Sequence, residues 1–277
     1  MEHKIVADSS CDLSPELKAK WGATTIPFTM TLGEKDFRDD ETLDLPSFME
    51  EMKRCTGKIG SALPSPHLYK EAFEGGQISF GITISSKLSG SYSSAMLGKR
   101  LAEEESGAEV HIFDSLSASA GEVLVALKIH AMIELGFQKA KIIASVEAFI
   151  KEMKTYFVLE NINNLLKNGR LNKVTGKLIS VLGIKPIMGS DGEGNIALFS
   201  HGRGRKQILD KLVRTIAASG KNTENESLVI THCNNADLAA TLADAIRKRH
   251  QFKEILIFPT GGLSSVYADE KGVIMAF

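Results

Sequence analysis

The sequence has few of the residues and runs that define several protein classes. Cysteine occurs only three times in 277 residues, without the CxxC spacing of zinc sites, so neither a disulfide framework nor a metal site is expected and a reducing cytoplasm is the predicted compartment. No charged segment followed by an apolar core opens the chain, so no signal peptide is expected. The longest apolar-rich stretch, residues 123–135, is interrupted by Lys128, His130 and Glu134 and is too short to span a membrane.

Neither sign of charge dominates. Lys and Arg number 33 against 34 Asp and Glu, so the net charge of −1 gives no global attraction to nucleic acid or to an acidic membrane. The nucleotide-binding motifs GxxxxGK[ST] and GxGxxG are absent, and the seven histidines lack the HExxH spacing of zinc enzymes, so no cofactor and no metal are expected. A GxSxG elbow is absent too, but a serine hydrolase whose triad forms only in space stays open as an alternative.

What the chain does have is a regular alternation of β-rich and helical segments, which is typical of βαβ units with parallel strands. We expect an α/β protein of two domains, residues 1–152 and 153–277. The first is expected to be a three-layer α/β/α domain with a mainly parallel sheet, and the second an α/β domain with a mixed sheet, because residues 191–195 resemble a hairpin turn. The predicted strands are 4–7, 24–31, 78–84, 109–113, 156–159, 184–188, 195–200, 228–231, 254–258 and 272–276, and the predicted helices are 15–20, 45–54, 90–104, 118–135, 145–154, 204–219 and 236–249.

Two serine-rich segments follow predicted strands, where ligands tend to bind in an α/β sheet. Asp8-Ser9-Ser10 comes after strand 4–7, and residues 85–92 come after strand 78–84. In the second segment Ser89 and Gly90 stand where a helix should begin, and the unpaired N–H groups there favour a carboxylate or a phosphate. A turn that only caps a helix is the alternative for both segments.

Two further segments each offer one polar group. Residues 60–66 are expected to form a stiff, proline-containing loop that presents Ser61. Gly169 is expected to end a helix in the left-handed conformation and to present Arg170 at a turn. Arg170 is a fixed cation that can bind an anionic ligand or pair with Glu160.

A basic segment contains Arg203, Arg205 and Lys206 at the predicted start of a helix. Positive charges there oppose the helix dipole, which favours an external partner. Docking to an acidic protein surface fits this segment, whereas nucleic acid is not expected because no aromatic residues are interleaved.

These segments, taken in order, resemble the DegV family of bacterial fatty-acid-binding proteins over nearly the whole chain. The resemblance implies a long-chain fatty acid buried between two domains. It also implies a possible role as the lipid-carrying subunit that presents the acid to a separate, ATP-using fatty acid kinase. The motifs that carry the resemblance are Asp8-Ser9-Ser10, Pro64-Ser65-Pro66, Ser86-Lys87-Leu88-Ser89-Gly90, Asp114-Ser115, Leu159-Glu160, Gly169-Arg170-Leu171, Ile184-Lys185-Pro186-Ile187 and Arg203-Gly204-Arg205-Lys206.

The resemblance also implies which residues bind the acid. Ser61 and Ser89 fall on the family's carboxylate contacts, Gly90 allows close backbone approach, and Arg170 falls near the ligand end or the partner surface. Tyr267 takes the position of the family's head-group histidine, and it can donate a hydrogen bond but cannot be a cation near neutral pH.

The sequence departs from the family pattern at other positions as well. Leu63 stands where a glutamine is usual, and Asp269 and Glu270 replace small neutral residues. If Tyr267 faces the head group, both acidic side chains are expected to point elsewhere. A lipid-binding protein without catalysis of its own is the leading interpretation. The alternatives are a hydrolase or acyl-transferring enzyme with Ser89 or Ser61 as nucleophile, and a regulatory docking protein.

Overall fold

A computed structural model describes residues 3–75, 78–171 and 183–277, and its first sheet is parallel throughout. The strand order is β2-β1-β6-β7, with β1 at His3–Asp8, β2 at Thr24–Ile26, β6 at Ile78–Thr83 and β7 at Glu109–Asp114. Every residue of β6 is buried, as expected for a central strand covered on both faces.

A second, three-stranded sheet is antiparallel and has the order β4-β3-β5. It contains β3 at Thr29–Leu32, β4 at Lys35–Arg38 and β5 at Ile59–Ala62. The single strand predicted over 24–31 is therefore wrong, because β2 and β3 belong to different sheets. The break lies at Pro27, which has no N–H for a ladder, and the next N–H, that of Phe28, donates to the Ser9 hydroxyl at 3.0 Å.

The third sheet is mixed and has six strands in the order β10-β9-β8-β13-β11-β12. Its β9–β10 hairpin confirms the antiparallel pair predicted around residues 191–195. The strands are β8 at Thr155–Val158, β9 at Ile184–Ser190, β10 at Ile196–Arg203, β11 at Ser227–His232, β12 at Glu254–Pro259 and β13 at Val273–Ala276.

Several helix starts follow from local sequence. Ser14, Asp44 and Ser65 each accept a hydrogen bond from a backbone N–H in the first turn of the following helix, and each of these helices has proline in its first turn. The helices are α1 at Pro15–Trp21, α2 at Leu45–Arg54, α3 at Pro66–Phe73, α4 at Ser91–Ser106, α5 at Ala120–Glu134, α6 at Lys139–Glu152, α7 at Asn163–Lys167, α8 at Gly204–Ala218, α9 at Ala236–Arg247 and α10 at Gly262–Ala268.

Helix α5 is the layer that the two large sheets share. It packs against β1 and β6 on one side and against β11 and β13 on the other. Helices α3 and α4 cover the opposite face of the parallel sheet, which makes the predicted three-layer domain, and α8 and α9 cover the outer face of the mixed sheet. All strands of the first two sheets precede residue 115, and all strands of the third follow residue 154. One hydrophobic core cluster nevertheless contains residues from both of these parts of the chain. A division at 152/153 stays a proposal.

Candidate functional site

A cavity lies where the carboxyl ends of β1, β6 and β7 face the mixed sheet and α10. Its empty space is about 890 Å³ when the part open to solvent is included. Its walls are mainly apolar and come from all three sheets and the segments beside them: Phe28, Ile84, Leu88, Leu116, Phe157, Leu159, Leu165, Ile196, Leu263 and Ile274.

Ser61 and Tyr267 meet in the wall of this cavity although 206 residues separate them. The Ser61 Oγ and the Tyr267 hydroxyl oxygen are 2.8 Å apart, so one of the two hydroxyl groups donates a hydrogen bond to the other. The proton of the accepting hydroxyl group is then left for another partner. The prediction that Ser61 lies in a loop is wrong: it is in β5, opposite Met30 of β3. A strand fixes the hydroxyl more rigidly than a loop would.

Helix α10, which carries Tyr267, is held at its start by two buried aspartates from the N-terminal part of the chain. Asp39 accepts from the N–H groups of Gly262 and Leu263 at 2.8 and 2.9 Å, and Asp12 accepts from the N–H of Gly261 at 2.7 Å. Position 262 requires glycine because the backbone there lies close to Asp39: a Cβ atom would be 2.5 Å from Asp39 Oδ1.

Burial also changes the acidity of these aspartates. It raises the pKa of Asp12 to about 7, although hydrogen bonds from the Ser119 hydroxyl and the Gly261 N–H oppose the shift. Burial raises the pKa of Asp39 as well, although the hydrogen bonds that Asp39 accepts from backbone N–H groups lower it. Removal from water thus outweighs the hydrogen bonds at both sites.

Ser89 lines the cavity from the turn between β6 and α4. Its backbone N–H donates to the Ser85 carbonyl at 3.1 Å, and its Oγ accepts from the N–H of Ser91 at 3.2 Å. The Ser89 oxygen is therefore an acceptor within the turn, and its own O–H can be donated to a ligand. The neighbouring Gly90 is the N-cap of α4 and stands outside the cavity lining.

Arg170 lies in the cavity wall next to the Ser89 turn. Its Nε donates to the Leu88 carbonyl at 3.1 Å, and its Nη1 contacts the Asn168 carbonyl. The alternative of a pair with Glu160 is not what the structure shows, because Glu160 pairs with Lys185. Asn168 in turn donates to the Ile59 carbonyl at 3.0 Å, which joins this segment to β5 and Ser61.

The two acidic residues after Tyr267 are engaged elsewhere. Asp269 accepts from the Asn161 amide at 2.7 Å, and Glu270 pairs with Lys53 at 3.4 Å. Neither carboxyl group belongs to the cavity lining. Leu63 is also outside the lining, with 46% of its surface exposed.

The basic segment lies away from the cavity, where β10 passes into α8. Arg205 is in an ion pair with Asp237 at 2.6 Å, and it also donates to Thr241. Lys206 and Arg203 are exposed. None of the three basic residues lines the cavity.

The loop after β7 is a part of the site that the sequence analysis missed. Leu116, Ser117 and Ser119 all line the cavity, and both Leu116 and Ser119 have positive φ, at 50° and 55°. A positive φ is strained for residues other than glycine and persists where surrounding contacts stabilise it. Ser119 contacts Asp12 and Thr231, and the Leu116 carbonyl accepts a hydrogen bond from the Ser190 hydroxyl at 2.9 Å. The available signal was a run of small residues directly after a strand.

Within residues 3–75, 78–171 and 183–277, no group of three or more His, Cys, Asp or Glu side chains is arranged to hold a metal ion. Over the same residues, no helix is both long and apolar enough to cross a membrane.

Comparison with known proteins places the chain in a family. The DegV family model, described as an uncharacterised protein family, matches residues 2–276, and the chain belongs to that family. A DegV domain-containing protein of Streptococcus pneumoniae (strain ATCC BAA-255 / R6) is 33% identical over 286 residues, which cover 100% of this chain and 99% of the relative.

Solved structures of the family have the same fold. A DegV family protein of Ruminococcus gnavus, refined with vaccenic acid, is 37% identical with a TM-score of 0.95 and covers 99% of each chain. The Streptococcus pneumoniae Fatty Acid Kinase (Fak) B3 protein, loaded with linoleic acid, is 31% identical with a TM-score of 0.92 and covers 100% of this chain and 99% of its own. These similarities confirm the predicted family and the two-part α/β fold.

Proposed function

We propose that this chain binds a long-chain fatty acid in the cavity between its parallel and mixed sheets, and that it carries the acid without transforming it. The observation behind the proposal is the distribution of polarity in the cavity. Its walls are mainly apolar, and hydroxyl groups of Ser61, Ser89 and Tyr267 stand in connected wall segments beside the guanidinium of Arg170. Such groups suit a single carboxylate on a long apolar tail.

The energetics support burial of the tail. About fifteen methylene groups at roughly 0.8 kcal/mol each give ~12 kcal/mol of gross transfer free energy. Ordering of the tail and loss of tumbling remove several kcal/mol of this. Micromolar or tighter affinity, about −8 kcal/mol, is thus reachable from the tail alone, and the hydroxyl groups then orient the head group.

The relatives support the same ligand class. The Ruminococcus gnavus and Streptococcus pneumoniae proteins were solved with vaccenic and linoleic acid, and a DegV family protein of Eubacterium eligens, 29% identical, was solved with heptadecanoic acid. These acids differ in unsaturation but share a carboxylate and a long acyl chain.

A carrier fits the two serines better than an enzyme does. A nucleophilic serine needs a base within hydrogen-bond reach. In the part of the chain that the structure describes, the Ser61 hydroxyl contacts the Tyr267 hydroxyl, and the Ser89 hydroxyl oxygen accepts a backbone N–H. Neither partner is a base.

We further propose that the carrier works in the cytoplasm and presents the acid to a separate kinase. Three unpaired cysteines fit a reducing compartment, and the similarity to a fatty acid kinase B protein points to such a partner. The basic segment at 203–206 is the proposed docking surface. Lys206→Glu should slow phosphorylation of the bound acid by that kinase, whereas Lys151→Glu, an exposed change on α6, should not.

Mass spectrometry of the purified protein tests the lipid proposal directly. An organic extract should contain about one long-chain fatty acid per chain, and native mass spectrometry should show the matching mass increment. A delipidated sample should take up added fatty acid but not an alkane of equal length. Protein that emerges empty and takes up no acid would contradict the proposal.

A further inference from the structure

Two carboxyl groups are fully buried beside the cavity and have unequal partners. Asp8, at the end of β1, accepts from the N–H of Ser10 at 3.1 Å, the N–H of Ile84 at 3.0 Å and the hydroxyl of Ser91 at 2.6 Å. Glu122, in the first turn of α5, has no hydrogen-bond donor at either oxygen within the described residues. Its polar neighbours are the Asp8 carboxyl group and the Ser10 hydroxyl, and the hydroxyl opposes the rise in the pKa of Glu122 but is outweighed by burial and by the charge of Asp8.

Adjacent buried carboxyl groups cannot both ionise, because each negative charge opposes the other where water is excluded. Asp8, with three donors, is stabilised as the carboxylate. Glu122 can make a hydrogen bond to Asp8 only as the acid, by donating its proton. The pKa of Glu122 rises further than that of Asp8, in agreement with this assignment. Burial raises the pKa of Asp8 only to about 6, because the hydrogen bonds from Ser91, Ile84 and Ser10 oppose it, whereas burial and then the charge of Asp8 raise that of Glu122 well above its ordinary value.

The carboxylate of Asp8 sets the direction of the hydrogen bonds at the Ser91 side chain. Ser91 donates its hydroxyl proton to Asp8, so Tyr69, whose hydroxyl lies 2.6 Å from the Ser91 Oγ, must be the donor in that pair. With its side chain anchored in this way, Ser91 donates its backbone N–H to the Oγ of Ser89. The proton of Ser89 is then available to a ligand in the cavity.

We propose that Asp8 and Glu122 form a buried carboxylate–carboxylic acid pair that fixes the Ser89 turn, so that the Ser89 hydroxyl donates into the cavity. Both residues are positioning residues, since they act through Ser91 and do not touch the ligand. The ligand in this proposal is the fatty acid of the function proposed above, so the role of the Ser89 turn rests on that function. The protonated pair of Asp8 and Glu122 does not depend on it.

Other titratable groups face the pair. Burial raises the pKa values of Cys11 and Tyr69, so both side chains stay neutral. Asp12 adds negative charge that favours the acid form of Glu122, and Lys18 is the cation whose field reaches the Cys11 side chain. None of these groups supplies the donor that Glu122 lacks.

Binding titrations on delipidated protein test the positioning role, with parinaric acid, a fluorescent fatty acid, and its methyl ester as probes. Asp8→Asn should weaken binding of the acid about tenfold, as expected for a misdirected hydrogen bond to a charged group. Binding of the ester should change less than about twofold, because the ester lacks the carboxylate. In a Ser89→Ala background Asp8→Asn should cost less than about twofold, since residues that act through each other are non-additive.

Glu122→Gln is the conservative variant that should preserve the positioning, because an amide can still donate to Asp8. It should leave acid binding within about twofold of wild type. The proposal would be overturned if Asp8→Asn weakened acid binding equally in the wild-type and Ser89→Ala backgrounds. It would also be overturned if Glu122→Gln weakened acid binding as much as Asp8→Asn does. If Asp8→Asn does not fold, Ser91→Ala in the same two backgrounds decides by the same criterion.

Infrared difference spectroscopy tests the proton without any lipid. At pH 8, above the pKa values of about 6 for Asp8 and about 7 for Asp12, wild type should retain a carboxylic acid C=O band that Glu122→Gln removes. A missing band refutes the protonated pair. If the band is present but wild type binds no acid, the proposed function and the role of the Ser89 turn fall while the pair stands.

Discussion

Tyr267 offers the sharpest test of where the head group binds. Its hydroxyl lies 2.8 Å from the Ser61 hydroxyl in the cavity wall. Two protons and two oxygens form this pair. One proton joins the oxygens, and the other can be donated to a carboxylate.

The size of the loss on Tyr267→Phe identifies the donor. If the phenol donates to the carboxylate, its removal should cost about 1.5–3 kcal/mol of binding free energy, as for hydrogen bonds to charged groups. If Ser61 is the donor and Tyr267 only supports it, the cost should be about 0.5–1.5 kcal/mol, as for a neutral hydrogen bond. The first case is roughly a ten- to hundredfold loss of affinity and the second at most about tenfold.

Titration of the delipidated variants with a fluorescent fatty acid measures this loss. Tyr156→Phe is the matched control: Thr155 and Phe157 line the cavity, whereas Tyr156 packs on the opposite face of β8 in the outer core of the mixed sheet. Its affinity should equal that of wild type. Equal affinity for Tyr267→Phe would refute head-group binding at this position.

Tyr267→His adds a pH test. An imidazole gains a positive charge near pH 6.5 and below. A cation facing the carboxylate should tighten binding by Tyr267→His from pH 8 to pH 5.5 relative to wild type, because any effect of Asp8 and Asp12, whose pKa values are about 6 and about 7, is common to both proteins. Asp269 and Glu270 do not oppose the test, because they contact Asn161 and Lys53. Parallel curves for the two proteins would mean that position 267 does not contact the ligand.

Three further predictions follow from the same site. Ser89→Ala should weaken acid binding by about 1.5–3 kcal/mol with a stability loss below about 1 kcal/mol, seen by titration beside thermal melting; unchanged affinity would leave Ser89 as a turn residue only. Because the pKa of Asp12 is about 7 in the folded chain, above its ordinary 3.8, the folded state holds its proton longer as pH rises. The free energy of unfolding should therefore fall by about 2–3 kcal/mol from pH 5 to pH 8 through this group, and urea titrations of Asp12→Asn should show a flatter profile. Gly262→Ala should cost about 1–3 kcal/mol of stability and weaken acid binding, because its Cβ would lie 2.5 Å from Asp39 Oδ1 and displace the helix of Tyr267; a melting curve and affinity equal to wild type would contradict this.

Local patterns predict the elements whose signals are local. The apolar run at Ile78–Thr83 is a buried central strand, and Asp44-Leu45-Pro46 starts α2 at the predicted residue. Strand β5 was missed because it is short and carries glycine and alanine, which are weak strand formers. Its pairing with β3 depends on residues about thirty positions away, which periodicity cannot detect.

The candidate site was predicted only in part, because its contacts are distant in sequence. Ser61 and Ser89 were chosen from loop-like segments and from the family resemblance, yet the contact of Ser61 with Tyr267 spans 206 residues. Asp8 was noted as a turn residue, and nothing local indicated that it would face Glu122. An acidic residue in the apolar first half of α5 was the available signal, since burial without a partner is costly for a carboxyl group.

Both halves of the proposed head-group site are held by buried acids from the N-terminal part of the chain. Asp8 orients the Ser89 turn through Ser91, and Asp39 holds the start of the helix that carries Tyr267. Two ionised acids would repel a fatty-acid carboxylate more strongly than one, and the proposed pair of Asp8 and Glu122 carries a single negative charge because Glu122 keeps its proton. The acids can then direct hydroxyl donors toward an anionic ligand at a small electrostatic cost, and the fixed charge of Arg170 in the same wall offsets the charge that remains.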